Sequence, residues 1–362
     1  MRKTVLSCGA ALVALCIAGS ASAADASDIG AAVTGGKLIL EMRGRYETVE
    51  QAGFATDAEA FTLRTRLGWE TASWNRIKAL VEFDDVRNLG ADRYNDGVPP
   101  AEAYPVIGDP EVTELNRAQL TWTPSRAFTA TLGRQRIILD DQRFIGNVGW
   151  RQDEQTFDAA RADFAVGKLK VAVAYLDQVN RVFAEALDYD SESWLVNAAY
   201  PVSDLFSPTA FVYALDFETA PAASTLTAGA RVTGKTAAGP IALAWAGSYA
   251  KQEDYGVNPG TFDLDYYAAE LSAGIGPVTV KGAYESLEGD GVRGFATPLA
   301  TLHAFQGWAD VFLTTPADGI EDANLTLAYK APLKTAYLSN LVLTARYHDF
   351  QAERTGADLG SE

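Results

Sequence analysis

Strict period-two alternation runs along this chain, and no other feature restricts its fold as much. Successive strand side chains point to opposite faces, so alternation marks a sheet with two unlike sides. Phe61, Leu63, Thr65, Leu67 and Trp69 alternate with Thr62, Arg64, Arg66, Gly68 and Glu70. Leu38, Leu40, Met42 and Tyr46 alternate with Glu41, Arg43 and Arg45. The same rhythm returns at Val278, Val280 and Tyr284 against Thr279, Lys281 and Glu285, and at Leu341, Leu343, Ala345 and Tyr347 against Thr344 and Arg346. Similar segments lie near 77–84, 115–122, 128–136, 158–164, 169–175, 194–200, 209–217, 225–233, 241–251, 266–275 and 324–329. The pattern predicts an all-β chain of about 15 visible strands with no amphipathic helix.

A soluble sandwich alternates as well, with apolar inner faces and wet outer ones. Three features favour a transmembrane antiparallel β-barrel instead. Aromatics gather at strand ends (Tyr46, Trp69, Trp122, Tyr175, Trp194, Tyr200, Tyr284, Tyr347), where interfacial girdles lie. Ala and Gly are common on the apolar face, which lipid tolerates and a packed core does not. Long and short connections mostly alternate, with 86–116 and 286–323 on the long side and Pro124-Ser125 and Gly276-Pro277 on the short side. Outer-membrane barrels sort their extracellular loops and periplasmic turns in this way.

The first 23 residues read as an export signal. Arg2 and Lys3 precede an apolar run from Val5 to Ile17, and Ala21-Ser22-Ala23 is an A-x-A cleavage site, so the mature barrel is 24–362. Leu15 precedes Cys16, where a lipoprotein signal needs a small residue. Both cysteines, Cys8 and Cys16, lie in this leader, so the mature chain has no disulfide and no thiolate site. Losing Arg2 and Lys3 takes the net charge from −17 to −19. That acidity excludes nucleic acid as a partner, since phosphate binding needs a basic footprint. The expected location is the outer membrane of a Gram-negative bacterium, with its lipid as one partner.

Enzyme signatures are thin. Gly229-Ala-Arg-Val-Thr-Gly234-Lys235-Thr236 fits the P-loop pattern, but alternation continues through it and no helix follows. His303 and His348 are the only histidines, and neither sits in a hydrolase motif. Asp140-Asp141 and the acids of 188–192 could hold Ca²⁺ on extracellular loops, though no EF-hand spacing is present. No other cofactor is expected.

Strand parity points Arg43, Arg45, Arg64, Arg66, Lys78, Arg117, Arg161, Lys170, Arg231, Lys281 and Arg346 inward, with Glu41, Glu70, Glu82, Asp84, Asp163, Asp216, Glu270 and Glu285 beside them. The strands alone therefore give a basic lumen inside an acidic protein. Guanidinium forks match carboxylates, so this face suits an anion.

Three blocks resemble the alginate-export family of outer-membrane barrels. The first is Leu132-Gly-Arg134-Gln135-Arg136-Ile with Asp140-Asp141-Gln142-Arg143-Phe144 to Trp150-Arg151-Gln152 and Gln155-Thr-Phe157-Asp158. The second is Leu302-His303-Ala-Phe-Gln306-Gly307-Trp308-Ala-Asp310 with Thr314-Thr-Pro-Ala-Asp-Gly, and the third Tyr347-His348-Asp349-Phe350 with Gly356-Ala-Asp-Leu-Gly-Ser-Glu. The resemblance implies a monomeric barrel of ~18 strands, its last strands missing here, that passes an anionic polysaccharide such as alginate outward through an Arg-lined constriction. It adds Arg134, Arg136, Arg143 and Arg151 to the candidate path. Arg134 and Arg136 share the parity of Leu132, so a bulge or the strand end must turn them from lipid. The alternative is a general porin for small anions or sugars.

Protein purified from outer membranes should begin at Ala24, read by N-terminal sequencing. A mature N-terminus far from Ala24, or recovery as soluble periplasmic protein, contradicts the export reading.

Overall fold

The computed structural model describes residues 3–8 by backbone alone, and residues 25–90, 92–333 and 341–362 in full. The expected cleavage site and Ala24 lie outside the described residues. The strands are β1 (Lys3–Cys8), β2 (Lys37–Gln51), β3 (Ala58–Glu70), β4 (Ile77–Asn88), β5 (Val112–Ser125), β6 (Phe128–Gln135), β7 (Thr156–Val166), β8 (Leu169–Asn180) and β9 (Tyr189–Ala199). They continue with β10 (Ser207–Leu215), β11 (Thr225–Ala238), β12 (Ile241–Asp254), β13 (Asp263–Ile275), β14 (Val278–Leu287), β15 (Ile320–Lys330), β16 (Val342–Gln351) and β17 (Asp358–Ser361). One short helix, α1 (Ile29–Thr34), precedes β2 and is capped by Asp28, which accepts from the Ala31 N–H at 2.8 Å.

From β2 to β17 each strand pairs antiparallel with the next, a meander in sequence order. The segments read from alternation correspond one for one to β2–β16, and β17 is an addition too short to show a rhythm. The other edge of β2 carries β1, from within the expected leader. No pairing joins β17 to β2 among the described residues. The P-loop pattern lies inside β11, as alternation requires.

The sheet curls on itself. The 136–155 loop touches Thr62 of β3, Asn197 of β9, Arg231 of β11 and Glu285 of β14, all on one face. Strands so far apart in order can reach one loop only if that face is the inside of a tube. The two faces are inverted relative to a soluble protein. Outward Leu67, Leu132, Leu271 and Leu325 are 51–61 % exposed, while inward Arg64, Glu82 and Asp84 are at most 3 % exposed. Lipid is the solvent in which that arrangement is stable.

Aromatic pairs mark both rims. Trp122–Phe128 and Phe128–Phe164 lie 5.9 and 5.1 Å apart at the end with short turns, and Tyr249–Tyr267 lie 5.2 Å apart towards the other. Gly276 opens one two-residue turn at φ +55°, a conformation a Cβ would strain. The long connections, 89–111, 136–155 and 288–319, all leave the opposite end, the extracellular one in such barrels.

Leu325 sits mid-strand on the lipid face, and Asn324 points into the lumen beside Asp322. Leu325→Arg should cost about 2–4 kcal/mol of refolding stability in lipid vesicles, whereas Asn324→Arg should cost less than about 1 kcal/mol. Equal costs in urea titrations would contradict the assigned faces.

Candidate functional site: the lumen

The inner wall of β2–β5 forms the first half of the lumen. Arg43 and Arg64 face each other across the β2–β3 pair, as period two dictates, and Arg45 and Arg66 flank them. Such like charges persist only beside carboxylates. Glu41 pairs with Arg64, Glu47 with Arg45 at 2.5 Å, and Asp84 with Arg66 at 2.5 Å. In β5 the register shifts opposite Glu82, so Asn116 and Arg117 both reach that carboxylate. Arg43 makes hydrogen bonds to Gln152 and to loop carbonyls.

Loops supply the remaining partners, and strand parity could not place them. Glu154 lies 3.1 Å from Arg66 and accepts from the Arg136 fork, Asp109 lies 3.6 Å from Arg45, and Asp310 lies 2.9 Å from Arg151. Adjacent carboxylates in this loop are driven apart. Burial acts to raise Glu154, but Arg136, Arg66 and Asn116 hold it down at about 2. Burial, then the charges of Glu114 and Asp84, push Asp153 well above the usual carboxylate range. The positive surplus expected from the strands is therefore offset by Asp109, Glu154 and Asp310.

Loop 136–155 is anchored a second way. Arg143, fully buried, donates to Glu285 at 2.6 Å and to Thr297 and Gln306. Phe144 beside it lies 5.0 Å from Phe211 and 5.2 Å from Tyr266. Arg151 joins Glu47 to Asp310, and Trp150 stacks on His303 at 3.9 Å under the Arg45 guanidinium. Gly133 takes φ +107° ahead of Arg134, which forks onto Asp158, and β6 ends at Gln135, so Arg136 lies beyond the strand. Arg136 therefore leaves strand parity at the end of β6, whereas Arg134 keeps the regular ladder pairing with Asp158 and no register shift surrounds it.

The opposite wall is hollow. A cavity of about 630 Å³ opens at the short-turn end, lined by Lys168, Asp204, Lys235, Glu270 and Lys281. It shares Ala246, Glu270 and Lys281 with a hollow of about 90 Å³ that also meets Arg231, Glu285, Gln306 and Arg346. Gln306 then lines a third cavity of about 540 Å³ towards the extracellular end. Shared lining residues thus set the three hollows in series along this wall. Arg231 pairs with Asp141 at 2.8 Å, and Arg346 donates to Thr326 at 3.0 Å. Among the described residues no carboxylate lies within 4.0 Å of the Arg346 guanidinium. Arg161 forks onto Asp163 at 2.6 Å beside a separate hollow that Lys170 also lines.

The candidate arginines thus divide. Arg45, Arg64, Arg66, Arg143 and Arg151 are buried in ion pairs, whereas Arg231 and Arg346 line the hollow of about 90 Å³. Asp140 and Asp141 bind Asn197 and Arg231 inside the lumen, not on an outer loop as the calcium reading needs. Among the described residues no group of three acidic or histidine side chains converges to hold a metal. His303 and His348 are held by Asp310 and Asp322 inside the tube.

Comparison with known proteins agrees with this geometry. The family model described as alginate export matches residues 37–255, over half of the chain. Among solved structures, Pseudomonas aeruginosa OccK9 (OpdG) is 15 % identical with TM-score 0.69, covering 90 % of this chain and 86 % of its own. P. aeruginosa OccK2 (OpdF), solved with glucuronate, is 13 % identical with TM-score 0.62, covering 88 % and 81 %. P. aeruginosa OpdK, solved with vanillate, is 13 % identical with TM-score 0.59, covering 81 % and 89 %. At such identities the likeness shows the fold, that of outer-membrane porins. No curated protein sequence matches the chain. Inverted faces, in-folded loops, hollows along one wall and the family match over β2–β12 converge: this chain is a member of the alginate-export family, an outer-membrane β-barrel channel and not an enzyme.

Proposed function

We propose that this channel conducts carboxylate-bearing saccharides, with an alginate-like polysaccharide moving outward as the polymeric case, along the route past Lys281, Arg231 and Arg346. The observation that carries the reading is Arg346, which borders the hollow of about 90 Å³ and has no carboxylate partner among the described residues. Its fork is free for a passing carboxylate. Arg231 already holds Asp141. A solute carboxylate can replace that partner like for like, so the exchange leaves no guanidinium bare and the solute is held weakly enough to leave. The family match supports a uronate cargo. OccK2 and OpdK were solved with glucuronate and vanillate, each a carboxylate on a six-membered ring.

One observation favours the second reading, a general porin for small anions or sugars. The middle hollow holds about 90 Å³ while loops 136–155 and 288–319 stay folded in, which suits single residues better than a chain.

In planar bilayers under a salt gradient the channel should prefer anions, and glucuronate and polyuronate should reduce its current. Arg231→Gln with Arg346→Gln should weaken that block about tenfold, as expected for losing hydrogen bonds to a charged group. Arg64→Gln with Arg66→Gln should instead lower refolding yield, since stripping a buried partner costs about 3–5 kcal/mol. Cation preference in the unsubstituted channel would refute the reading.

A further inference from the structure

The third cavity holds two guanidiniums that neither alternation nor family resemblance singles out. Arg181, from the loop between β8 and β9, lies 4.4 Å over the Tyr189 ring and donates to the Leu187 carbonyl at 3.3 Å. Arg293, from the 288–319 loop, lies 4.5 Å over Phe262 and donates to Asn258 Oδ1 at 3.3 Å. Both line the cavity of about 540 Å³. Asp188 and Asp290 accept from the Arg181 and Arg293 backbone N–H groups at 2.6 and 2.8 Å, but among the described residues neither guanidinium has a carboxylate within 4.0 Å, in contrast to the locked arginines below them.

An aromatic face fixes the plane of a guanidinium and leaves its edge donors free. Arginine carries five N–H donors, so two that make one neutral hydrogen bond each keep most of theirs for a ligand. Gly260 is part of the construction, because a Cβ there would collide with the Arg293 guanidinium. The rest of the lining sets the ligand class. Thr225, Thr297 and Thr314 offer hydroxyl groups, and the Thr225 hydroxyl is buried without a partner. Phe262 and Phe312 add flat apolar walls. Two cations, three threonine hydroxyls and aromatic walls describe a site for one carboxylated sugar ring.

We propose that this outer cavity is a binding site for a single carboxylated monosaccharide unit, held by Arg181 and Arg293 just outside the narrow hollow. The site rests on the carboxylate-channel reading and deepens it. Gln306 lines both spaces and also holds Glu285 and Arg143, so a bound sugar acid would sit against the latch of loop 136–155. Such a site would hold the last unit of an outgoing chain, or the first contact of an entering monomer.

Equilibrium dialysis of the full chain in detergent, with radiolabelled glucuronate, tests the site. The expected result is one glucuronate per chain, weakened at least tenfold by Arg181→Gln with Arg293→Gln. Gly260→Ala, which touches neither arginine chemically, should weaken it in the same direction. Unlabelled glucose and benzoate should compete poorly, one lacking the carboxylate and the other the hydroxyls. Equal affinity in the double variant and in Gly260→Ala, with folded mobility on gels intact, would overturn the site. Competition by benzoate as strong as by glucuronate would overturn the saccharide assignment. Failure of the channel reading would appear separately, as cation preference in bilayers without any glucuronate present.

Discussion

A guanidinium held inside a protein needs a carboxylate beside it, and the lumen of this barrel is organised around that requirement. The pairing of β2 with β3 sets Arg43 against Arg64, with Arg45 and Arg66 alongside. Strand acids answer only part of that charge. Asp109, Glu154 and Asp310 come from loops that must fold inward to deliver them. Loop 136–155 is thus drawn across the tube by the wall it lines, and Arg143 and Phe144 fasten its other end to β14 and to the aromatic nest of β10 and β13. Breaking one such pair would strand a buried charge, so the arrangement behaves as a unit.

This division of labour decides where a solute can go. The β2–β5 side is filled by ion pairs and the in-folded loop. Space remains on the β11–β16 side, where Lys281, Arg231 and Arg346 border the narrow hollow. The same residue type serves two ends. A buried arginine with two or three oxygen partners is a strut, and an arginine bordering open space with an exchangeable partner, or none, is the proposed contact for cargo.

Much of this was legible in the sequence because a strand has period two. Fifteen alternating segments located β2–β16, and parity put Arg45, Arg64, Arg66, Arg117 and Arg231 on the inner face, where their carboxylate partners lie. Parity fails where the backbone leaves the strand. The end of β6 releases Arg136, and the bulge at Asn116 adds a second inward donor. Loop residues carry no period at all, so neither the acids that neutralise the arginine cluster nor Arg181 and Arg293 could be placed. The four residues of β17 are too few to show alternation.

The central claim is that solutes pass along the β11–β16 wall while the β2–β5 wall is a strut. Residues 24–362 contain no cysteine, which allows a direct measurement of it. Single cysteines at Ala246, which borders the first two hollows, and at Thr62, which is buried against Gln152, can be treated with a charged methanethiosulfonate during bilayer recording. The account predicts a stepwise loss of current at position 246 and none at position 62. A current step at 62 with none at 246 would place the route through the arginine cluster and contradict it.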